Sequence, residues 1–507
     1  MRITSKRTRS FGHRHRGRNH PQEKEPNPMT TSKTISPSSS SSTDQHHDQA
    51  DVKELRGAID QLMQRARSDL KDLVAIESMS DRKQFSADGC DQAAQQVADL
   101  FRAEGFADIT LHVTPDASKV VIGHIAAPKG APTVLLYCHY DVQPPIRSDD
   151  WRTPPFELTE KDGGWFGRGA ADCKGNIVTH LTALRAMGGA PYPVGLIVVA
   201  EGSEEQGNGG LEGFLEANAE LFRADAMLIC DAGNFAVGVP AVTTSLRGVS
   251  AVTIEIEALR STVHSGMFGG AAPDPLVALI QVLSTLHDEH GNVSITGLDA
   301  TQKWKGEPYS EAQFRTDAGL LDGVEIVGSG TVADMLWARP SVTVTGMACQ
   351  PMAGAVNAIP PSAGALVSLR IPPGIDPLEA QDKLIAQLTN AAPWGVKVRT
   401  IRDIPGAPFS TPVDGPAYRV LARAMGDAYS RPMVSIGQGG SIPLCELLQR
   451  TFPETEIAII GVEEPLCSIH SPNESVAPSE IATMALVEAL FLQRYNSATS
   501  AQPVEES

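Results

Sequence analysis

The sequence predicts an α/β domain interrupted by an inserted α+β domain, and three observations carry that expectation. At 507 residues the chain exceeds what one hydrophobic core ordinarily supports, so two domains are expected. Up to about residue 244, short uninterrupted apolar runs alternate with helical stretches, the pattern of strands covered on both faces of a sheet. From about Ser245 to residue 405 the strand-like segments instead alternate apolar and polar residues, as strands with one wet face do, and beyond 405 the first pattern resumes.

Residues 1–50 are rich in Arg, His, Pro and Ser and hold too little apolar surface to fold, so they and residues 498–507 are expected to be disordered tails. Met29 stands just past the basic segment and is the expected translation start. In the first part of the α/β domain (51–244), helical patterns cover Asp51–Ile76 and Asp91–Glu104. Then follow a strand at Val134–Cys138, a helix at Gly175–Met187, a strand at Val194–Ala200, a helix at Leu211–Leu221 and a strand at Ala226–Cys230. In the inserted domain (245–405), Val249–Ala258 reads as a strand, Pro275–Glu289 as a helix and Gly297–Thr331 as a polar stretch. Strands at Ser341–Gly346 and Gly364–Pro372, a helix at Pro377–Asn390 and a strand at Lys397–Asp403 complete two helices on a small antiparallel sheet. The α/β domain resumes (406–497) with a helix at Gly415–Tyr429, a strand at Glu456–Gly461 and a helix at Pro478–Tyr495.

Aromatic residues are only 5% of the chain, so its cores rely on Val, Ile, Leu and Ala. The net charge is −18, and because residues 1–28 carry eight Lys/Arg against two acids, the rest of the chain holds −24. That excess disfavours nucleic acid or an anionic membrane as partner. No run approaches the ~20 apolar residues that span a bilayer, and no apolar segment follows the basic N-terminus as in a secretory signal. Seven cysteines, an odd number without framework spacing, read as reduced thiols of a cytoplasmic protein.

Acids and histidines recur at the ends of the expected α/β strands. His139 and Asp141 follow TVLLYC, Asp172 precedes a helix in GRGAADCKG, Glu204 and Glu205 follow LIVVAEGS, Asp231 follows AMLIC, and His470 follows AIIGVEEPLCSI. Singly, each has a bland reading: the acids as helix caps or a solvated face, the histidine as a packed core residue. Ligands of open α/β sheets gather at the carboxyl ends of strands, however, so these residues can converge. Imidazole and carboxylate together suit Zn²⁺, with Mn²⁺ or Co²⁺ as alternatives. Five such ligands exceed what one catalytic zinc takes, whereas two ions about 3.5–4 Å apart sharing a carboxylate account for the number. A further carboxylate is then needed to move a proton from water to a leaving amine, and the Glu204–Glu205 pair supplies one residue for each task.

Seven motifs in order, YCHYDVQP, WFGRGAADCKG, EGSEEQGNGG, ICDAG, HSGMFGG, QGGSIP and IHSPNE, resemble those of the M20 family of metallopeptidases. The similarity runs from about residue 55 to 497 and points to the dipeptidase branch of carnosinase-like and cysteinylglycine-dipeptidase-like enzymes. The resemblance implies a mixed-sheet zinc-peptidase catalytic domain with an inserted ferredoxin-like lid and dimerisation domain. It implies that Asp172 bridges two metals, that His139 and Asp231 complete one site and Glu205 and His470 the other, and that Glu204 is general base and later general acid. Asp141 would orient His139. His264, in VHSG, would steady the oxyanion from the partner subunit of a homodimer. Arg370, in VSLRIPP, would clamp the substrate carboxylate, with Gly439, Gly440 and Ser441 offering backbone and hydroxyl groups to the same end. Members often have a cis peptide after the bridging Asp, here Asp172–Cys173.

The chain departs from the family pattern at three positions. Cys173 stands where many relatives have a second acid and is expected not to be a ligand; Thr262 stands where relatives have Asp, and Asn357, at a substrate-binding position, replaces a common Thr. The activity expected is hydrolysis of dipeptides or similarly small amides carrying a free carboxylate. The alternative is deacylation of N-acyl or N-carbamoyl amino acids or of succinyl-diaminopimelate by the same metals. The long stretch Gly297–Thr331 and the WARP segment (Trp337–Pro340) resemble the dipeptidase branch.

Overall fold

In a computed structural model, residues 42–146, 148–207 and 209–500 are described. The chain forms two compact units, Met1–Asp48 and Gln49–Ser507. Of the first, only residues 42–48 are described, as the opening of a helix. Met29 and most of both expected tails lie outside the described residues.

Helix α1 (Ser42–Val74) begins inside the stretch expected to be a tail. Residues 42–50 contain neither proline nor glycine, so nothing stops a helix propagating back from the amphipathic segment after Asp51. Next come α2 (Asp88–Ala103), β1 (Thr110–Val113), β2 (Lys119–Ile125), β3 (Thr133–His139), β4 (Thr159–Lys161), β5 (Gly164–Phe166) and α3 (Lys174–Ala186). They are followed by β6 (Gly195–Glu201), α4 (Gly210–Ala217), β7 (Ala226–Cys230) and β8 (Ala241–Leu246). After Arg247 the chain enters β9 (Gly248–Glu257), β10 (Val263–His264), α5 (Ser265–Phe268), α6 (Pro275–Ser284) and α7 (Glu311–Asp317). It continues through β11 (Ser341–Ala348), β12 (Ala358–Ile359), β13 (Ser362–Ile371), α8 (Pro377–Asn390) and β14 (Lys397–Arg402). The last elements are β15 (Phe409–Ser410), α9 (Pro416–Tyr429), β16 (Val434–Gln438), α10 (Pro443–Thr451), β17 (Glu456–Ile460), β18 (Ser475–Val476) and α11 (Pro478–Ser500).

The main sheet runs β1-β2-β6-β3-β7-β17-β8-β15, with β16 beside β8. Its centre is parallel (β6, β3, β7, β17), while β1, β2 and β8 pair antiparallel, so the sheet is mixed. Every residue of β6 and β7 is buried, which is why those strands read as unbroken apolar runs. Val134, Leu136 and Val198 face a core with α1, α2, α3, α9 and α11, whereas Leu135, Ile197 and Ile229 face a second core with α4 and α10.

A four-stranded antiparallel sheet, β11-β13-β9-β14, forms the inserted part. Residues of β9 alternate between buried and half-buried, and Val252, Ile254 and Ile256 pack with Leu279 and Val282 of α6 and Leu384 and Leu388 of α8. Helix α6 stops at Ser284, short of the expected Glu289. There Asp288 accepts from the backbone N–H groups of His290 and Asn292 and closes a turn through Gly291 (φ +85). The stretch 297–331 contains α7 and is tied to the main sheet: Trp304 and Tyr309 pack on Trp337, which lies in a core with Ile436 of β16. Among the described residues no helix is long and apolar enough to cross a membrane.

Candidate metal centre

Parallel β3, β6 and β7 end side by side, so the residues just past them converge without being near in sequence. His139 closes β3, Glu204 and Glu205 lie in a short 3₁₀ turn after β6, and Asp231 follows β7. Asp172 sits just ahead of α3, with a cis Asp172–Cys173 peptide, and His470 adopts φ +58 in the loop after β17.

The five expected ligands meet in one place, in two halves joined by Asp172. His139 Nε2 lies 2.9 Å from Asp172 Oδ1 and 3.1 Å from Asp231 Oδ1. His470 Nε2 lies 2.9 Å from Asp172 Oδ2 and 3.0 Å from Glu205 Oε2. Each oxygen of Asp172 therefore serves a different half, as a bridging carboxylate must. His139 Nδ1 faces the Asp141 backbone O at 3.1 Å and Oδ1 at 3.3 Å, acceptors that would keep a proton on Nδ1 when Nε2 gives its lone pair to a metal ion. Gln143 holds Glu205, giving its backbone N–H to Oε1 at 3.0 Å and Nε2–H to Oε2 at 2.9 Å.

The electrostatics call for cations. Hydrogen bonds that it gives to Asp172 and Glu205 push His470 up to about 11. Burial alone would lower His139, yet Cys173, Asp231, Asp141 and Asp172 around it raise it well above the ordinary histidine value. Burial, then Asp231 and Asp172, raises Glu204 well above the carboxylate range, while burial of Asp172 is outweighed by its bonds to the two histidines, which hold it low. Each imidazole is driven to take a proton at the point where the same carboxylates would share a metal ion. Two imidazoles and three carboxylates with one shared acid fit a pair of divalent ions.

His264 and Asn357 belong to a different element from the strand ends that carry the five residues. They flank the β10–β12 ladder, where His264 is exposed, and among the described residues none of their hydrogen bonds reaches the five ligands. Arg370 is half-buried near the end of β13. Gly439, Gly440 and Ser441 link β16 to α10, and a Cβ at Gly439 would lie 2.7 Å from Arg247 Nη2, so that guanidinium would have to shift to admit one.

The sequence reading gave no structural task to several residues around the site. Arg247, buried at the crossing from β8 to β9, donates to Ser341 Oγ at 2.8 Å, and Ser341 pairs with Arg370 in the ladder. Burial, and secondarily Arg370, lowers Arg247 to about 10. Glu474, fully buried, accepts from the N–H groups of Gly169, Ala171 and Asp172 at 3.0, 3.0 and 3.1 Å and from Arg168 Nη1 at 2.6 Å. Cys173 Sγ lies within 4.8 Å of His139 and Asp231 ligand atoms but donates to the Cys230 carbonyl at 2.9 Å. Behind the strands, His180 Nδ1 meets Glu488 Oε2 at 2.7 Å and Nε2 meets the Tyr137 carbonyl at 3.3 Å, with both side chains buried.

Peptidase family M20/M25/M40 matches residues 135–494. A cysteinylglycine-S-conjugate dipeptidase of Corynebacterium striatum is 45% identical over 417 residues, covering 81% of this chain and 91% of that protein. The solved structure of a di-peptidase from Saccharomyces cerevisiae superposes with a TM-score of 0.75 at 25% identity, covering 88% of this chain and 98% of that one. Human carnosine dipeptidase 1 has the same fold, with a TM-score of 0.75 at 23% identity over 88% of this chain and 98% of its own. On the family match and the relative identical at nearly half its positions, the chain belongs to peptidase family M20/M25/M40.

Proposed function

We propose that this chain is a two-metal dipeptidase that hydrolyses the amide bond of small substrates carrying a free carboxylate. The observation that carries the reading is Asp172, whose two oxygens face two separate imidazole–carboxylate pairs. Two divalent ions, which we take to be zinc on the donor set, supply a Lewis acid for the scissile carbonyl and make nearby water more acidic. His139, Asp231 and Asp172 would hold one, and Asp172, Glu205 and His470 the other. Glu204, beside Glu205 on the same short turn, takes a proton from the attacking water and returns it to the leaving amine. Asp141 sets the height of that turn, since its carboxylate accepts from the N–H groups of Glu204 and Glu205 at 3.2 Å each.

At the other end of the substrate, the carboxylate meets Arg370, reinforced by Arg247, with Gly439, Gly440 and Ser441 alongside and Asn357 as a further contact. His264 Nδ1 accepts from the Gly266 N–H at 3.1 Å, so its proton sits on Nε2, ready to donate to an oxyanion. The ring is exposed on β10, where the partner subunit of a homodimer could receive it. Seven free cysteines, six of them buried, support a cytoplasmic location.

A panel of dipeptides and N-acyl amino acids, assayed with Zn²⁺, Mn²⁺ and Co²⁺, tests the reading. Turnover of dipeptides that a chelator abolishes supports it; turnover of N-acyl amino acids alone would replace it with the sister deacylation.

A further inference from the structure

One carboxylate at the centre has no task in the scheme above. Glu463 lies between β17 and His470, and its main chain is pinned beside Asp231: its carbonyl accepts from the Asn234 N–H at 2.8 Å and it bridges to Gly233. A Cβ on Gly233 would come within 1.7 Å of that carbonyl oxygen, so only glycine lets the two segments approach so closely. The approach carries the Glu463 carboxylate inward. Its oxygen, one from Asp172 and one from Asp231 all lie within 4.8 Å of one another. Glu463 is 6% exposed, Oε1 has no hydrogen-bond partner, and among the described residues no Lys, Arg or His forms an ion pair with it.

A buried carboxylate without a partner is costly unless a cation answers it. Cys173 also reaches the His139–Asp231 pair, but its thiol is already spent on the Cys230 carbonyl, so Glu463 is the group left over.

We propose that Glu463 is a sixth protein ligand of the centre. It adds a carboxylate on the Asp172–Asp231 side of the centre and leaves the Glu205–His470 half, whose imidazole is 54% exposed, as the open and exchangeable position. This rests on the two-metal reading above.

Zinc titration of the chelator-stripped full chain by calorimetry tests the proposal. The wild type should take two zinc ions, one much tighter than the other, and chelator should strip the weaker first. In Glu463→Gln the tight site should weaken by about 10–100-fold or more, so that both ions leave together, and the visible spectrum of the Co²⁺ form should change. A Glu463→Gln protein with both affinities and the cobalt spectrum unchanged overturns the proposal and leaves the two-metal reading standing. A wild type that takes fewer than two ions overturns that reading, and the proposal with it. If circular dichroism shows that Glu463→Gln does not fold, Glu463→Asp, which keeps the charge one methylene short, decides: a weakened tight site supports the proposal and an unchanged one overturns it.

Discussion

The Asp172 amide donates to the buried carboxylate of Glu474 at 3.1 Å, and the same Glu474 oxygen takes the Ala171 amide at 3.0 Å. Glu474 lies four residues beyond His470, so one side chain ties the bridging acid's loop to the loop that carries a ligand of the other half. Arg168 balances its charge at 2.6 Å and also reaches the Ser471 carbonyl at 3.3 Å. The spacing of the two halves is thus set by a buried ion pair outside the ligands.

Glu474→Gln leaves Arg168 as an uncompensated buried charge and should cost about 3–5 kcal/mol of stability. Chemical denaturation of the metal-free protein checks this, and the surviving folded protein should bind zinc more weakly. An unchanged midpoint would show that the pair does not hold the loops.

Asp141 reaches both His139 and the Glu204–Glu205 turn, and Ser80 Oγ donates to its Oδ2 at 2.7 Å. Asp141→Asn should therefore weaken zinc binding about 10–100-fold and also lower kcat in the zinc-saturated enzyme. Metal titration and saturated turnover separate the two losses. A variant hurt only in affinity would mean that Asp141 serves His139 alone.

Glu204→Gln should keep two zinc ions and the wild-type fold while kcat falls about 10²–10⁴-fold. Metal analysis beside turnover checks it. Substantial activity in the metal-loaded variant would remove Glu204 from the role of base.

Arg370→Met and Arg247→Met should each raise KM for dipeptides by about 10–100-fold, the loss of a charge-assisted hydrogen bond of about 1.5–3 kcal/mol. Dipeptide amides, which lack the free carboxylate, should show no further loss in either variant. Equal losses on acids and amides would mean that the arginines act on the fold and not on the substrate.

Three of the five proposed ligands, His139, Glu205 and Asp231, were legible because β3, β6 and β7 are buried on both faces and so appear as apolar runs with clear ends; the bounds of β7 match the sequence reading. Strands β2, β8 and β16 were not anticipated, because KVVIGHI, AVTTSL and VSIGQ mix glycine, threonine, serine or histidine into short runs. Glu463 and Arg247 left no trace for a different reason, and Glu474, though it closes the IHSPNE motif, gave no sign of its task. A single charge in a polar loop gives no hint of burial, which depends on close contacts such as that at Gly233. The start of α1 at Ser42 was missed because composition argued for a tail, whereas helix propagation needs only the absence of a breaker.

The most direct test of the account is diffraction at the zinc absorption edge from crystals grown with zinc. The account predicts two anomalous peaks about 3.5–4 Å apart, each within coordination distance of a different Asp172 oxygen, one beside His139 and Asp231 and the other beside Glu205 and His470. A single peak, or two that do not share Asp172, would contradict it.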